Sequence, residues 1–197
     1  MQNCLDGLIT LLYKIWLRVV YKIHVGSDWI LMGLPIIRVG GVGSRIRIGN
    51  YFRAISRIRS NSIGVLGPVV IRTTQPNAEI VIGDNVGVSG CVISAARYIA
   101  IGDNTLIGSG ALIMDNDAHL LIASERDSSV LKKRFPKGRI GPVIIGKNVF
   151  VGARAMILKG VHIGDNAIIG AGSVVRDDVP SGATVIGNPA AIIKCEA

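Results

Sequence analysis

From about residue 36 the chain sets an aliphatic residue at every sixth position. The runs are Ile82 and Val88, then Ile101, Ile107 and Ile113, then Ile145, Val151, Ile157, Ile163, Ile169 and Val175. Ile82 to Ile101 is 19 residues, three sixes plus one inserted residue near "SAARYIA". Three copies of "IGDN" (82–85, 101–104, 163–166) and one "IGKN" (145–148) mark recurring turns, where Gly and Asn tolerate positive φ. Neither the helical period of 3.6 nor simple alternation accounts for this. A six-residue unit predicts a β-solenoid: one short strand and one turn per unit, three units to a triangular coil of about 18 residues, coils stacked roughly 4.8 Å apart.

Ahead of the repeat, "LITLLYKIWLRVVYKI" (8–23) has another rhythm. Its polar residues Thr10, Lys14, Arg18 and Lys22 fall four apart and mark one polar stripe on an otherwise apolar helix. Three charges interrupt a span already short of about 20 residues, so it is not expected to cross a bilayer, and no small-residue cleavage site follows it. Two readings stay open. The helix packs against the protein or an oligomer neighbour, or it lies at a membrane surface with Tyr13, Trp16 and Tyr21 at headgroup level and its cations toward anionic lipid.

Composition agrees with many short strands. Aromatics make up 5%, Gly contributes 25 residues, and Ile and Val dominate the apolar set. Cys4, Cys91 and Cys195 are scattered and odd in number, which suits a reducing cytoplasm rather than a disulfide framework or metal site. The net charge of +9 implies an anionic partner or surface, and much of it lies in "RIRIGNYFRAISRIR". No stacking aromatics or binding motif accompany those arginines, so nucleic acid is not the expected partner.

The ladder stops at "IMDNDAH" (113–119), which sets Asp115, Asp117 and His119 at alternate positions, and it resumes only at "PVIIGKNVFVGARAMI". That resumption leads into "LKGVHIGDNAIIGAGSVVRDDVPSGATVIGNPAAIIK". These residues resemble the hexapeptide-repeat acyltransferases, in particular the sugar and polysaccharide O-acetyltransferase branch; "AGSVV", the D-V-P that follows it, and "GNPA" are close family marks. The resemblance covers about 36–194. It implies an all-β, left-handed parallel β-helix over those residues, preceded by an N-terminal helix and connector (1–35) and interrupted by a loop at 120–141. It further implies homotrimers with active sites between neighbouring helices.

In that family the catalytic base is a His just before a long loop, and His119 matches the place. An imidazole suits the task, since an alcohol is a poor nucleophile near neutral pH and needs a base whose pKa lies close by. In extended conformation Asp115, Asp117 and His119 share one face. One aspartate then orients the imidazole while the other accepts hydrogen bonds from a sugar; Asp117 is the nearer helper, and Asp115 goes to the acceptor. The competing reading of each is a turn residue bonded to local backbone. Arg126, in the basic loop, falls where relatives carry an acceptor-site Arg. Acetyl-CoA is the implied co-substrate, with contacts at Ala153, Ala171, Arg176 and Lys194, and with the Ala153 N–H as oxyanion donor. Where relatives have Thr-Lys, this chain has Val175 and Arg176, so the charge is kept and the hydroxyl lost.

His24 and His162 are expected to be bystanders. Three scattered histidines do not form the zinc set that another enzyme on this scaffold uses, so no metal is expected. The expected activity is acetyl transfer from acetyl-CoA to a sugar or lipid-linked glycan hydroxyl, in the cytoplasm or at the inner face of the membrane. The alternatives are N-acetylation of an amino-sugar nucleotide, acetylation of another small acceptor, and a non-catalytic solenoid that serves assembly.

Overall fold

The computed structural model describes residues 2–119 and 140–195. Helix α1 (Gln2–Tyr21) leads into strands of two to six residues that rotate through three sheets as far as β18. Sheet A holds β1 (His24–Val25), β4 (Arg45–Ile48), β7 (Glu79–Ile82), β10 (Tyr98–Ile101), β13 (Val143–Ile145) and β16 (His162–Ile163). Sheet B holds β2 (Ile30–Met32), β5 (Arg53–Ile55), β8 (Gly87–Ser89), β11 (Leu106–Ile107), β14 (Phe150–Val151), β17 (Ile168–Ile169), β19 (Ala183–Gly187) and β20 (Ala190–Cys195). Sheet C holds β3 (Ile36–Arg38), β6 (Val70–Thr73), β9 (Val92–Ala95), β12 (Leu112–Met114), β15 (Met156–Ile157) and β18 (Val174–Val175). As far as β18 each strand pairs in parallel with the strand three places along, so the chain climbs one coil per three strands; in the last coil only a Val179 bridge continues sheet A, β17 pairs in parallel with β19, and β19 pairs antiparallel with β20.

The six-residue ladder is the inward face of these strands. In sheet A, Ile48, Ile82, Ile101, Ile145 and Ile163 stand in register. In sheet C the column is Ile37, Ile71, Ile93, Ile113, Ile157 and Val175. All of them are buried. The strands of sheet A bury a second aliphatic two residues earlier, as at Ile46, Ile80, Ile99 and Val143, and the narrow interior of a triangular coil favours such β-branched residues over large aromatics. Between sheets A and B the chain turns on Asn85, Asn104, Asn148 and Asn166, all with φ between 56° and 61°. Their neighbouring aspartates tie coil to coil: the Asp84 N–H donates to Asp103 Oδ1 at 2.9 Å, and the Lys147 N–H to Asp165 Oδ1 at 2.7 Å.

Three features depart from the sequence reading. The solenoid starts at β1, not at residue 36, because His24–Val25 pairs with Arg47–Ile48. That first coil lacks the "IGDN" turn, and its interior carries Trp29 packed against Phe52 at 5.1 Å. At the far end β20 folds back antiparallel on β19, so "GNPAAIIK" makes a hairpin rather than another coil. Between β5 and β6 lies an excursion, residues 56–69, with a short 3-10 turn at Ile58–Ser60.

α1 lies over the open end of the first coil, its Leu17 fully buried in a core shared with Ile23, Val25, Trp29 and Leu31. A buried Leu is worth about 2 kcal/mol. The polar stripe turns toward the solenoid: Thr10 is buried, Lys14 lies 5.6 Å above the Trp29 ring, and Arg18 Nη2 donates to the Val25 carbonyl at 2.6 Å. This is the reverse of the interfacial arrangement, in which those cations face lipid. Burial lowers the pKa of Lys14, reinforced by the neighbouring Arg18 charge. No described helix is long and apolar enough to cross a membrane.

Candidate active site

Sheet C ends with β12 at Met114, and the next five residues form the neck of the long excursion. Asp115 does not share a face with His119. It points inward, fully buried, where its Oδ1 accepts the Ala96 N–H at 2.7 Å and its Oδ2 accepts those of Arg97 (2.6 Å) and Tyr98 (2.8 Å). Those amides belong to the "SAARYIA" segment that carries the inserted residue. The extra residue lifts three N–H groups out of the regular ladder, and one carboxylate from the coil above satisfies them. The expected acceptor role of Asp115 is thereby corrected, since no oxygen of this residue reaches the surface.

The turn that follows is built on Asn116, buried, whose Oδ1 accepts the Ala118 N–H at 2.9 Å while its Nδ2 donates to Asp115 at 2.9 Å. Ala118 takes φ 60°, a left-handed conformation that costs a non-glycine residue about 1 kcal/mol, and the His119 N–H closes on the Asp117 carbonyl at 2.6 Å. His119 is left exposed on this turn. The expected carboxylate–imidazole bond is replaced, because Asp117 Oδ2 takes Lys159 Nζ at 2.6 Å, with both side chains half-buried. Lys159 escaped the sequence reading; its one signal was its place just past the ladder residue Ile157, one coil above His119. The far side of the neck is fixed by an Asn116–Ile140 bridge, by the Gly141 N–H on the Asp115 carbonyl (2.9 Å), and by the Gly160 N–H on the Gly141 carbonyl (2.9 Å). Arg126 and most of the loop lie outside the described residues.

The residues assigned to the coenzyme fall into separate groups. Ala153 and Ala171 stand one above the other at the corner between sheets B and C, below them Ser109. Coils approach closely here: a Cβ on Gly152 would lie 2.5 Å from the Ala171 nitrogen, and one on Gly108 would lie 2.6 Å from the Ala153 nitrogen. The result is a column poor in side chains. Arg176 lies past β18, at the opposite edge of sheet C and on the same side as His119, with its Nε 3.3 Å from Asp177. Lys194 sits on β20 opposite Thr184. His119 and Ala153 therefore flank sheet C from its two edges, separated by the length of its strands.

Against the Ala153 column rests the excursion 56–69. The Ser109 hydroxyl donates to the Gly64 carbonyl at 2.7 Å, and a cavity of about 390 Å³ opens between Ile58, Ile63, Leu66, Ser109, Ala153 and Arg154. Arg154 is unusual. Its place in the corner turn is Gly110 in the coil below and Gly172 in the coil above, all three with positive φ, and only Arg154 pays the steric cost of a Cβ there. Aligning "GSGA", "GARA" and "GAGS" would have exposed it. Among the other histidines, His24 opens β1 and His162 faces solvent 3.6 Å from Asp178. Among the described residues no group of three His, Cys, Asp or Glu could hold a metal ion.

Residues 98–113 and 142–176 match the family model described as the hexapeptide repeat of succinyl-transferase. YvoF of Bacillus subtilis, named as an acetyltransferase, is 43% identical over 95 residues, which is 48% of this chain and 46% of that protein. The chain thus spans about half the length of this relative. AntD, an N-acyltransferase from Bacillus cereus solved with dTDP-4-amino-4,6-dideoxyglucose and coenzyme A, superposes with a TM-score of 0.64 over 95% of this chain and 89% of its own, at 20% identity. The polysialic acid O-acetyltransferase OatWY superposes at 0.52 over 87% and 89%, at 20% identity. The chain is a left-handed parallel β-helix that carries the hexapeptide repeat.

Proposed function

We propose that the protein is an acetyl-CoA-dependent O-acetyltransferase that moves an acetyl group to a sugar hydroxyl. The observation that carries this reading is the pinned turn at 116–119, which presents an exposed imidazole beside a loop on a hexapeptide-repeat scaffold. His119 takes the proton of the acceptor hydroxyl as its oxygen attacks the thioester carbonyl, and returns it to the departing thiolate. The Ala153 N–H faces the oxygen that becomes negative. The column of Ser109, Ala153 and Ala171 receives the thin pantetheine arm, and Arg176 and Lys194 supply cations for its phosphates. Asp117 and Lys159 act as positioning residues for the turn. Because His119 and Ala153 lie at opposite edges of sheet C, a site that uses both draws them from two copies, as in a homotrimer. The acceptor is a sugar or lipid-linked glycan.

Purified protein with acetyl-CoA and a panel of sugar acceptors should release free thiol, read with a chromogenic disulfide. His119→Ala should lower kcat by about 10²–10⁴-fold with coenzyme binding kept. Full activity in that variant would overturn the assignment. A second reading, transfer to the amine of a sugar nucleotide, is favoured by the similarity to AntD. Mass spectrometry of the product distinguishes ester from amide.

A further inference from the structure

From Leu8 to Val20 the outward side of α1 is apolar. Leu11, Leu12, Ile15, Trp16, Val19 and Val20 are between 43% and 72% exposed, and at about 100° per residue they fill one side of the helix. Nothing polar interrupts them, because Thr10, Lys14 and Arg18 are engaged on the solenoid side. Trp16 is held by a stacked contact with Tyr13 at 5.7 Å and an edge contact with Tyr21 at 5.0 Å, and Tyr13 is tied to the Pro35 carbonyl at 2.7 Å. The helix therefore presents this face as a fixed surface rather than turning it inward.

The charge lies at the same end. Residues 1–59 carry nine Lys and Arg against two Asp, whereas residues 60–197 are nearly balanced, with 13 cations against 11 acidic groups. In the first two coils the exposed arginines point out from all three sheets: Arg38 from sheet C, Arg45 and Arg47 from sheet A, Arg53 from sheet B. They form a basic collar in the first two coils, set back from the outward face of α1 by a helix diameter of about 10 Å, so that sinking the helix about 5–10 Å into a headgroup layer brings them within roughly a Debye length of its phosphates.

We propose that α1 and this collar dock the end of the solenoid on an anionic bilayer, the apolar face in the headgroup boundary and the arginines against lipid phosphates. An apolar helix face and a basic cluster are the two signals that together give stable but non-spanning attachment. A second copy fits the face poorly, since end-to-end contact would bring two collars of like charge together. The proposal is independent of the acyl-transfer reading.

The test is flotation of the full-length protein with vesicles of neutral phosphatidylcholine or of phosphatidylcholine with 30% phosphatidylglycerol. The protein should float with the anionic vesicles and be released by high salt. Ile15→Asp with Val19→Asp should lower the bound fraction at least about tenfold, with circular dichroism and sedimentation unchanged. Arg45→Ser with Arg53→Ser should weaken binding to anionic vesicles alone. Equal flotation of the Ile15/Val19 variant would overturn the proposal. So would wild-type protein that ignores both vesicles yet self-associates in a manner those two substitutions abolish.

Discussion

Asp115 holds three backbone donors and a side-chain amide while fully buried, a task an amide cannot share because its NH2 would face other donors. Asp115→Asn should lower stability by about 2–4 kcal/mol, seen as a drop in the urea midpoint, while kcat/KM per folded molecule stays near wild type. A large fall in kcat/KM with an unchanged midpoint would return Asp115 to the acceptor site. The D-x-D-x-H pattern located the neck and its histidine but not the division of labour. Alternation predicts one face only while the strand lasts, and here it ends one residue before the first aspartate. The signal for Asp115 lay elsewhere, in the 19-residue step whose extra residue needed an acceptor.

Each corner between sheets A and B is an element with its own electrostatics. The Asp84 N–H, together with the Lys147 ammonium at 3.0 Å, holds the Asp103 carboxyl below its ordinary pKa. A depressed folded pKa means the contribution is present above the unfolded value near 4 and is lost as pH falls through the folded one. Asp103→Asn should therefore be less stable than wild type at pH 7, with the gap closing below about pH 4 in urea titrations. A gap independent of pH would remove the charge from the account. The ladder and these corners were legible because one residue class recurs at one spacing. The first coil was not, because aromatic packing replaces the repeat there. The excursion 56–69 was not, because no periodicity marks a segment that departs from a corner and returns.

For the whole molecule the proposed site is shared, so activity depends on which copies meet. His119→Ala chains and Ala171→Trp chains, each expected to be inactive, should regain activity when refolded together. In any mixed ring of three, one junction pairs an intact His119 with an intact Ala171, giving about a quarter of wild-type activity at equal mixing. Mixtures as inactive as their parents would argue that each chain works alone. Mass by sedimentation should give three copies.

The two closures of the solenoid have a consequence beyond docking. A stack of parallel strands in register is open to growth at either end, as in fibrils, where each new chain satisfies the amides of the one before. Here α1 packs over β1 and β2 of the first coil, and β20 runs antiparallel along the last strand of sheet B, so a further parallel coil cannot stack on those strands in register. The same helix that shows an apolar face outward thus keeps a polymerisable edge covered, and it is held in place from within by Leu17 and Arg18.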